Sequence, residues 1–511
     1  MSLRRKLLIA LGIALGMAIL ISVIHHYQLR AATEAYIAQL KAQGEPMDLA
    51  QVIPPSVPPN QNAAPLLLKA TSLLETNWNV LGSNPPPAML MVAPGKAVIG
   101  WGQPDIRSEG GPNSWEEIAT ALAEENKALN LLRQITNGLI LDFGLTYTNG
   151  VDKIQFSHLA PLKRAAQALS ASAIYELHRG DSGLAVKNIR AMLRLADGMS
   201  HDRLVISELV RIAITQMALP VNWEFLQSTN ITDDQLATLQ DDWTNLDFIR
   251  GEENALATER VTGEITLAKW RKSDSVLQDY INTWFTLAEP RKRVNIFERV
   301  RLETQIFRWR YWWSYPDELQ LMRGYQIFLE TARVAETNYS LLTTLRKQED
   351  KVKNLDIDTN SVGSLYFSDV NKVDLHSLMS GSVFSLSPLF NRVMRAETTK
   401  QIAVAAIALK RYQLKHGNYP PDFSSLVPEF LTKVPLDPVN GQPLRYRRSA
   451  DGTFLLYSVG ENGKDDGGNP GLEQGVESSS HYWQNPHALD WVWPQPATPE
   501  EVQNYYAHPP K

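Results

Sequence analysis

The chain is predicted to be mainly α-helical, with one membrane-spanning helix at its N-terminus, a body of helical hairpins and a small α+β unit at its C-terminus. Three observations predict this. An uncharged run from Leu7 to Ile24 follows Arg4, Arg5 and Lys6. Between about 157 and 350, apolar residues recur every three or four positions, the period of a one-sided helix. Beyond a long helical pattern that stops at Gly417, two short strand candidates flank a turn at Asp451-Gly452.

Composition bounds the function. At 511 residues the chain can bury two or three cores, and 44% apolar with 21% charged residues is ordinary for globular protein. A net charge of −5 argues against nucleic acid as the main partner, since binding a polyanion calls for a basic excess. There is no cysteine, so disulfides, thiolate catalysis and zinc–cysteine sites are all excluded.

Eighteen residues, Leu7 to Ile24, rise roughly 27 Å as a helix, close to the hydrocarbon thickness of a bilayer. Gly16 and Ala18 could mark a cleavage site, but that would strand Ile19–Ile24 as an apolar stub, so the segment reads as an uncleaved signal anchor. The positive charges precede the span. The expectation is therefore a single-pass inner-membrane protein with a cytoplasmic N-terminus and its body in the periplasm. Gly12 and Gly16 form a small-xxx-small step suited to self-association within the membrane. His25 and His26 read as interfacial residues rather than metal ligands.

Val52–Pro59 reads as a stiff proline-rich spacer, unpacked, followed by a helix from Asn62 to about Glu75. Loops are expected at Pro85–Pro87 and around Gly95–Gly111. Ser114 with Glu117 forms a capping box opening a helix to about Asn137. Leu159, Leu162, Ala166, Leu169 and Ala173 line one helix of a hairpin; Gly180, Asp181 and Gly183 turn it; Ala185, Ile189, Met192 and Leu195 line the return. This spacing resembles one tetratricopeptide unit, but no second copy keeps the period. Further helices are expected at Val205–Phe225, Asp233–Trp243, Glu252–Leu277, Asn295–Trp313 and Pro316–Lys347, the last opened by Ser314, Pro316 and Asp317.

The most conspicuous local feature is Arg291–Trp313, where seven basic residues stand among Phe297, Phe307, Trp309, Tyr311, Trp312 and Trp313. Stacking on nucleic acid and lying on an anionic membrane surface are both conceivable uses. The preferred reading is structural: Phe297, Val300, Thr304, Phe307 and Tyr311 form one buried stripe, flanked by arginines.

Asn354–Ser387 reads as a linker, and a helix runs from about Asn391 to His416 with Gly417 as its C-cap. Strands are expected at Leu444–Arg447 and Thr453–Ser458. Three stretches in order carry a family likeness: Tyr412, Gly417, Tyr419 and Pro420 in RYQLKHGNYP; Val434, Pro435, Asp437, Pro438 and Gly441 in VPLDPVNGQPLRY; Tyr457, Ser458, Gly460 and Gly463 in LYSVGENGKDDGG. Together they resemble the C-terminal part of the major pseudopilin of type II secretion systems, across about an eighth of the chain. The remainder resembles large uncharacterised exported proteins of planctomycete-like bacteria, which supplies no activity. The resemblance implies a helix packed on a small antiparallel sheet, a docking or assembly module with neither nucleophile nor base. It also implies a calcium loop, onto which Asn462, Asp465, Asp466 and Asp490 map. Two features depart from the family. Ile21 stands where the pseudopilin processing site has glutamate, and more than 350 residues separate anchor from head, so incorporation into a filament is not expected.

The expected domains are 1–31, cytoplasmic tip and anchor; 32–156, spacer and N-terminal helical and loop region; 157–350, helical hairpins; 351–390, linker; and 391–511, the pseudopilin-like unit. No His-Glu-x-x-His, Gly-x-Ser-x-Gly, P-loop or dinucleotide fingerprint is present, and the pairs Asp241–Asp242 and Glu252–Glu253 read as solvated faces. The expected function is a non-enzymatic scaffold or docking protein of the envelope. The alternative is an exported hydrolase whose site is assembled from distant residues of the helical body.

Overall fold

The computed structural model describes residues 3–74, 88–108, 111–135, 139–288, 296–355, 375–476 and 484–508. Helix α1 (Leu3–Ala42) is continuous and about 60 Å long, twice the thickness of a hydrocarbon core. Its first part stands free of the body, with Leu7, Leu11, Leu15 and Ile21 exposed. Its second part packs, burying Thr33 and Leu40. Gly44 (φ 84°) ends it, and the Glu45 N–H bonds back to the Leu40 carbonyl at 3.1 Å, a left-handed cap.

Past α2 (Leu49–Val52), the spacer is packed at its start, contrary to expectation. Val52 is buried, and its carbonyl accepts from Arg203 (2.9 Å) and Thr258 (3.3 Å). Next come α3 (Ala64–Ser72), the strands β1 (Leu90–Ala93) and β2 (Lys96–Val98), and the hairpin β3 (Ile106–Ser108)–β4 (Gly111–Asn113). Pro85–Pro87 lie outside the described residues. The Ser114–Glu117 box forms as expected and opens α4 (Trp115–Glu124), but Glu125 breaks the helix and α5 (Asn126–Leu132) follows.

The hairpin α6 (Leu159–His178)–α7 (Ser182–Gly198) is as expected. Gly180 adopts φ 79°, Asp181 caps the Leu184 N–H at 2.8 Å, and the two apolar stripes are buried. The body continues with α8 (Val205–Leu226), α9 (Asp233–Thr244), α10 (Phe248–Lys272) and α11 (Asp274–Ala288). A break at Ser273 divides the helix expected over Glu252–Leu277. α12 (Ile296–Arg308) runs through a π-turn (Trp309–Trp313) into α13 (Ser314–Thr337), and α14 (Leu341–Lys353) follows. Arg291, Lys292 and Arg293 lie outside the described residues.

The stripe expected to be buried on α12 is exposed. Phe297, Val300, Phe307 and Tyr311 face outward, whereas Leu302, Ile306 and Trp309 on the opposite side pack inward. Apolar periodicity fixed the helix but not which of its two apolar faces the body covers.

Helix α15 starts at Ser382, earlier than expected, and ends at His416, where Gly417 (φ 78°) bonds back to the Gln413 carbonyl. Its sheet has the order β5 (Arg445–Arg448), β6 (Phe454–Ser458), β7 (Trp491–Val492), all antiparallel, with Arg445 opposite Tyr457 and Ser458 opposite Trp491. The chain then returns to the N-terminal region. β8 (Gln495–Pro496) pairs parallel with β2, and α16 (Pro499–Ala507) closes it. α15 also packs on the body. The Phe248 N–H donates to Glu397 (3.0 Å) and Lys400 to the Leu246 carbonyl (2.9 Å), and beyond α15 the Phe430 carbonyl accepts from Gln240 on α9 (2.7 Å).

Candidate functional site

The clearest constellation joins the long N-terminal helix α1 to the body. Glu45, just past the end of α1, accepts from Arg333 with both oxygens (2.6 and 3.0 Å), from Arg260 (3.1 Å) and from Gln326 (3.0 Å). Arg260 on α10 is fully buried and also bonds Gln326 (2.7 Å) and the Pro46 carbonyl (3.1 Å); Arg333 on α13 reaches Glu253 (2.7 Å). Burial works to raise the Glu45 pKa, but the bonds from Arg333, Gln326 and Arg260 outweigh it and hold it down to about 2. Bidentate guanidinium pairing fixes direction as well as charge. α13 runs alongside α1 from Tyr315, whose carbonyl accepts from Thr33 (3.0 Å), down to Arg333 at Glu45. No sequence signal marks this latch. It needs Glu45 to meet Arg260 and Arg333, each more than two hundred positions further along the chain.

A second cluster is sealed inside. Glu208 pairs with Arg211 (2.5 Å), whose Nε donates to the Ala196 carbonyl (2.7 Å). Gly251 makes room for this pair, since a Cβ there would lie 2.4 Å from the Arg211 guanidinium. Beside them Glu252 is fully buried, and neither of its carboxyl oxygens has a partner in the structure. Its pKa is pushed well up by burial, with Glu208 and Glu259 adding and Arg211 opposing. Glu259 accepts from the Val205 N–H (2.9 Å) and Tyr325 (3.3 Å), and burial raises it to about 7 against those bonds. The solvated-face reading is thus corrected. In each adjacent acidic pair one member turns inward, Glu252 here and Asp242 at Arg190 and Arg194, because neighbours on a helix diverge by about 100°.

The fold also assembles His158, Asp202 and Ser207. Both the His158 Nε2 (2.8 Å) and the Ser207 hydroxyl (2.7 Å) bond the same Asp202 oxygen, so serine is not aligned on imidazole as nucleophilic catalysis requires. All three are buried. Glu224 is another sealed acid. It accepts from the Met89 and Gly100 N–H groups (2.9 Å each) and, through burial that those bonds oppose, is pushed up to about 8.

At the C-terminal end the motif residues act structurally. Asp437, fully buried, accepts from Val439 (3.0 Å) and Val459 (3.0 Å) N–H groups and from the Ser458 hydroxyl (2.8 Å), pinning the VPLDPVNG loop to the end of β6. Tyr446 donates to the Pro420 carbonyl (2.6 Å), and Tyr419 meets Phe454 edge-on.

The four residues mapped to a calcium loop do lie in one region, each engaged by the protein itself. Asp465 accepts from Tyr457 (2.8 Å), Gly467 (3.1 Å) and Arg445 (3.2 Å). Asn462 donates to Asp466 (2.9 Å), and Asp490 accepts from the Gly468 and Asn469 N–H groups (2.9 Å each). A cation would have to displace N–H donors from carboxylates, and among the described residues no group of three or more acidic or histidine side chains is placed to hold a metal.

Surface cavities lie elsewhere. One of about 210 Å³ is lined by Lys410, Tyr419, Phe454 and Trp493, and one of about 500 Å³ lies between His25, Trp312, Gln320 and His376. What fold and site together define is a mainly helical chain with one N-terminal helix long and apolar enough to cross a membrane, latched to its body by a buried ion pair to Arg260 and a partly exposed one to Arg333. Compared with family models, curated proteins and solved structures, the chain matches none.

Proposed function

We propose that this chain is a single-pass protein of a bacterial inner membrane, its body on the periplasmic side, acting as a non-enzymatic scaffold. Its C-terminal unit, similar to a pseudopilin head, serves as a docking module for other envelope proteins. The observation that carries the reading is α1 itself. One uninterrupted helix is apolar and uncovered over its first part and latched through Glu45 to α10 and α13 at its foot, so the membrane end and the body move together. Gly12 and Gly16, with nothing among the described residues within 4 Å of where their side chains would start, leave a face on which a second span can pack. The hydrolase alternative draws on the convergence of Glu208, Glu252 and Glu259, but Glu208 and Glu252 are sealed in the helical interior.

The test is a reporter fused at the C-terminus that is active on only one side of the membrane, combined with mass spectrometry of the mature N-terminus and capture of membrane partners by the full chain. A reporter active only in the cytosol overturns the orientation and the secretion link together. A mature chain beginning after Ala18 replaces the anchor with a cleaved signal, and one processed at Gly16 points instead to a secretion-filament subunit.

A further inference from the structure

The outward stripe of α12 is uncovered by the described residues of the body, and its position indicates what covers it. Phe297 is 83% exposed, Val300 and Phe307 54% each and Tyr311 46%. A helix apolar on two opposite sides, with one side satisfied by its own body, has a second apolar surface to meet. The stripe ends in an aromatic group in which the Phe307 ring lies 4.7 Å from Tyr311 and 5.9 Å from Trp312. That group abuts the anchor. The His26 Nδ1 lies 2.7 Å from the Tyr311 carbonyl, and the His26 ring lies 5.3 Å from that of Tyr315. His26 is two residues past Ile24, where the uncharged run ends, so the aromatic group lies level with the end of that run. Arg299, Arg301 and Arg308 are exposed beside the stripe, and Arg308 lies over the Trp313 ring at 4.8 Å.

We propose that α12 and its π-turn form an interfacial segment resting in the phospholipid headgroup layer next to the span, with the apolar stripe toward the acyl boundary and the arginines on lipid phosphates. Two features favour lipid over a protein partner: the register with the end of the span, and the pairing of exposed aromatics with arginines. The segment rests on the anchor reading and extends it, because span and segment together fix the tilt of the body over the bilayer.

The absence of cysteine makes the test clean. Val300→Cys, Leu15→Cys and Thr337→Cys are each introduced into the full chain and labelled with a polarity-sensitive fluorophore. The proteins are reconstituted into phosphatidylcholine–phosphatidylglycerol vesicles carrying shallow or deep nitroxide lipids. Thr337 is the aqueous control, since α13 runs away from the membrane end for about 35 Å before reaching it. The Val300 probe is expected to be blue-shifted and quenched at least twofold, more by shallow than by deep nitroxides, with Leu15 quenched by deep ones and Thr337 by neither. Arg299→Glu with Arg301→Glu should at least halve the quenching at Val300. A Val300 probe quenched no more than Thr337, with Leu15 still quenched, overturns the segment and leaves the anchor standing. An unquenched Leu15 overturns the anchor instead. A Val300 probe that is blue-shifted only at high protein density and not quenched by lipid assigns the stripe to a second copy and also overturns the proposal.

Discussion

Glu45 and Glu252 are both buried in the helical body, and the fold treats them in opposite ways. Glu45 faces two guanidinium groups and an amide, and its pKa is drawn down to about 2. Glu252, eight residues before Arg260 on α10, faces two other glutamates with a single arginine opposing, and its pKa is driven well up. Burial is common to both, so burial alone does not set the charge. The donors within reach do. At the foot of α1 a charge is kept because it fixes one segment to another. In the interior burial and two neighbouring glutamates disfavour the charged carboxylate, and packing supplies the stability.

The contrast breaks most visibly at the latch. Glu45→Ala leaves the buried Arg260 without its carboxylate and should cost about 3–5 kcal/mol in denaturant unfolding of the detergent-solubilised chain at neutral pH. Because the Glu45 pKa is depressed, that contribution is present above its ordinary value of 4.5 and is lost as pH falls toward 2. The two unfolding curves should therefore converge in acid. Equal stability at neutral pH would show that the latch carries no load.

Glu252→Gln should act with the opposite sign. The raised pKa means that the Glu252 contribution is complete below 4.5 and falls away as pH rises through the folded value. The glutamine chain should match the parent in acid and be more stable by about 1–2 kcal/mol at pH 8. A variant less stable at every pH would mean that the carboxylate is paired in solution. Glu224→Gln sharpens the same point at a better-bonded acid. It should remove the loss of stability between about pH 4.5 and 8, while the Gly100 N–H facing the new amide subtracts about 1 kcal/mol throughout. A pH slope unchanged from that of the parent would count against a raised Glu224.

The same contrast explains what was legible in the sequence. The α6–α7 hairpin could be read because its stripe, turn and cap are local: Leu169, Gly180 and Asp181 each act within a few positions. α12 shows the same periodicity, yet its burial was misassigned, because period reports a face and says nothing of what lies against it. The latch was invisible, since Glu45, Arg260 and Arg333 look like ordinary surface charges until α1, α10 and α13 are brought together. Asp437 was read as one position of a motif. Its role as acceptor for two N–H groups and a hydroxyl follows only from the β6 strand end folding back onto it.

The smallest expected effect concerns the loop at Asp465, where the ion-pairing logic of Glu45 recurs in exposed form. Asp465 takes Arg445, Tyr457 and the Gly467 N–H, and these bonds, set against burial, lower its pKa. Exposed pairs of this kind contribute little, so Asp465→Ala in chelator should destabilise the chain by about 1 kcal/mol. Adding millimolar calcium distinguishes two ways of holding the loop. If the protein's own donors close it, parent and Asp465→Ala, Asp466→Ala chains respond alike. A cation site instead predicts a gain of about 1 kcal/mol in the parent that the double change abolishes. That gain would require Arg445 to swing off Asp465, which a charge-reversing Arg445→Glu would report independently by weakening the loop in chelator and strengthening its response to calcium.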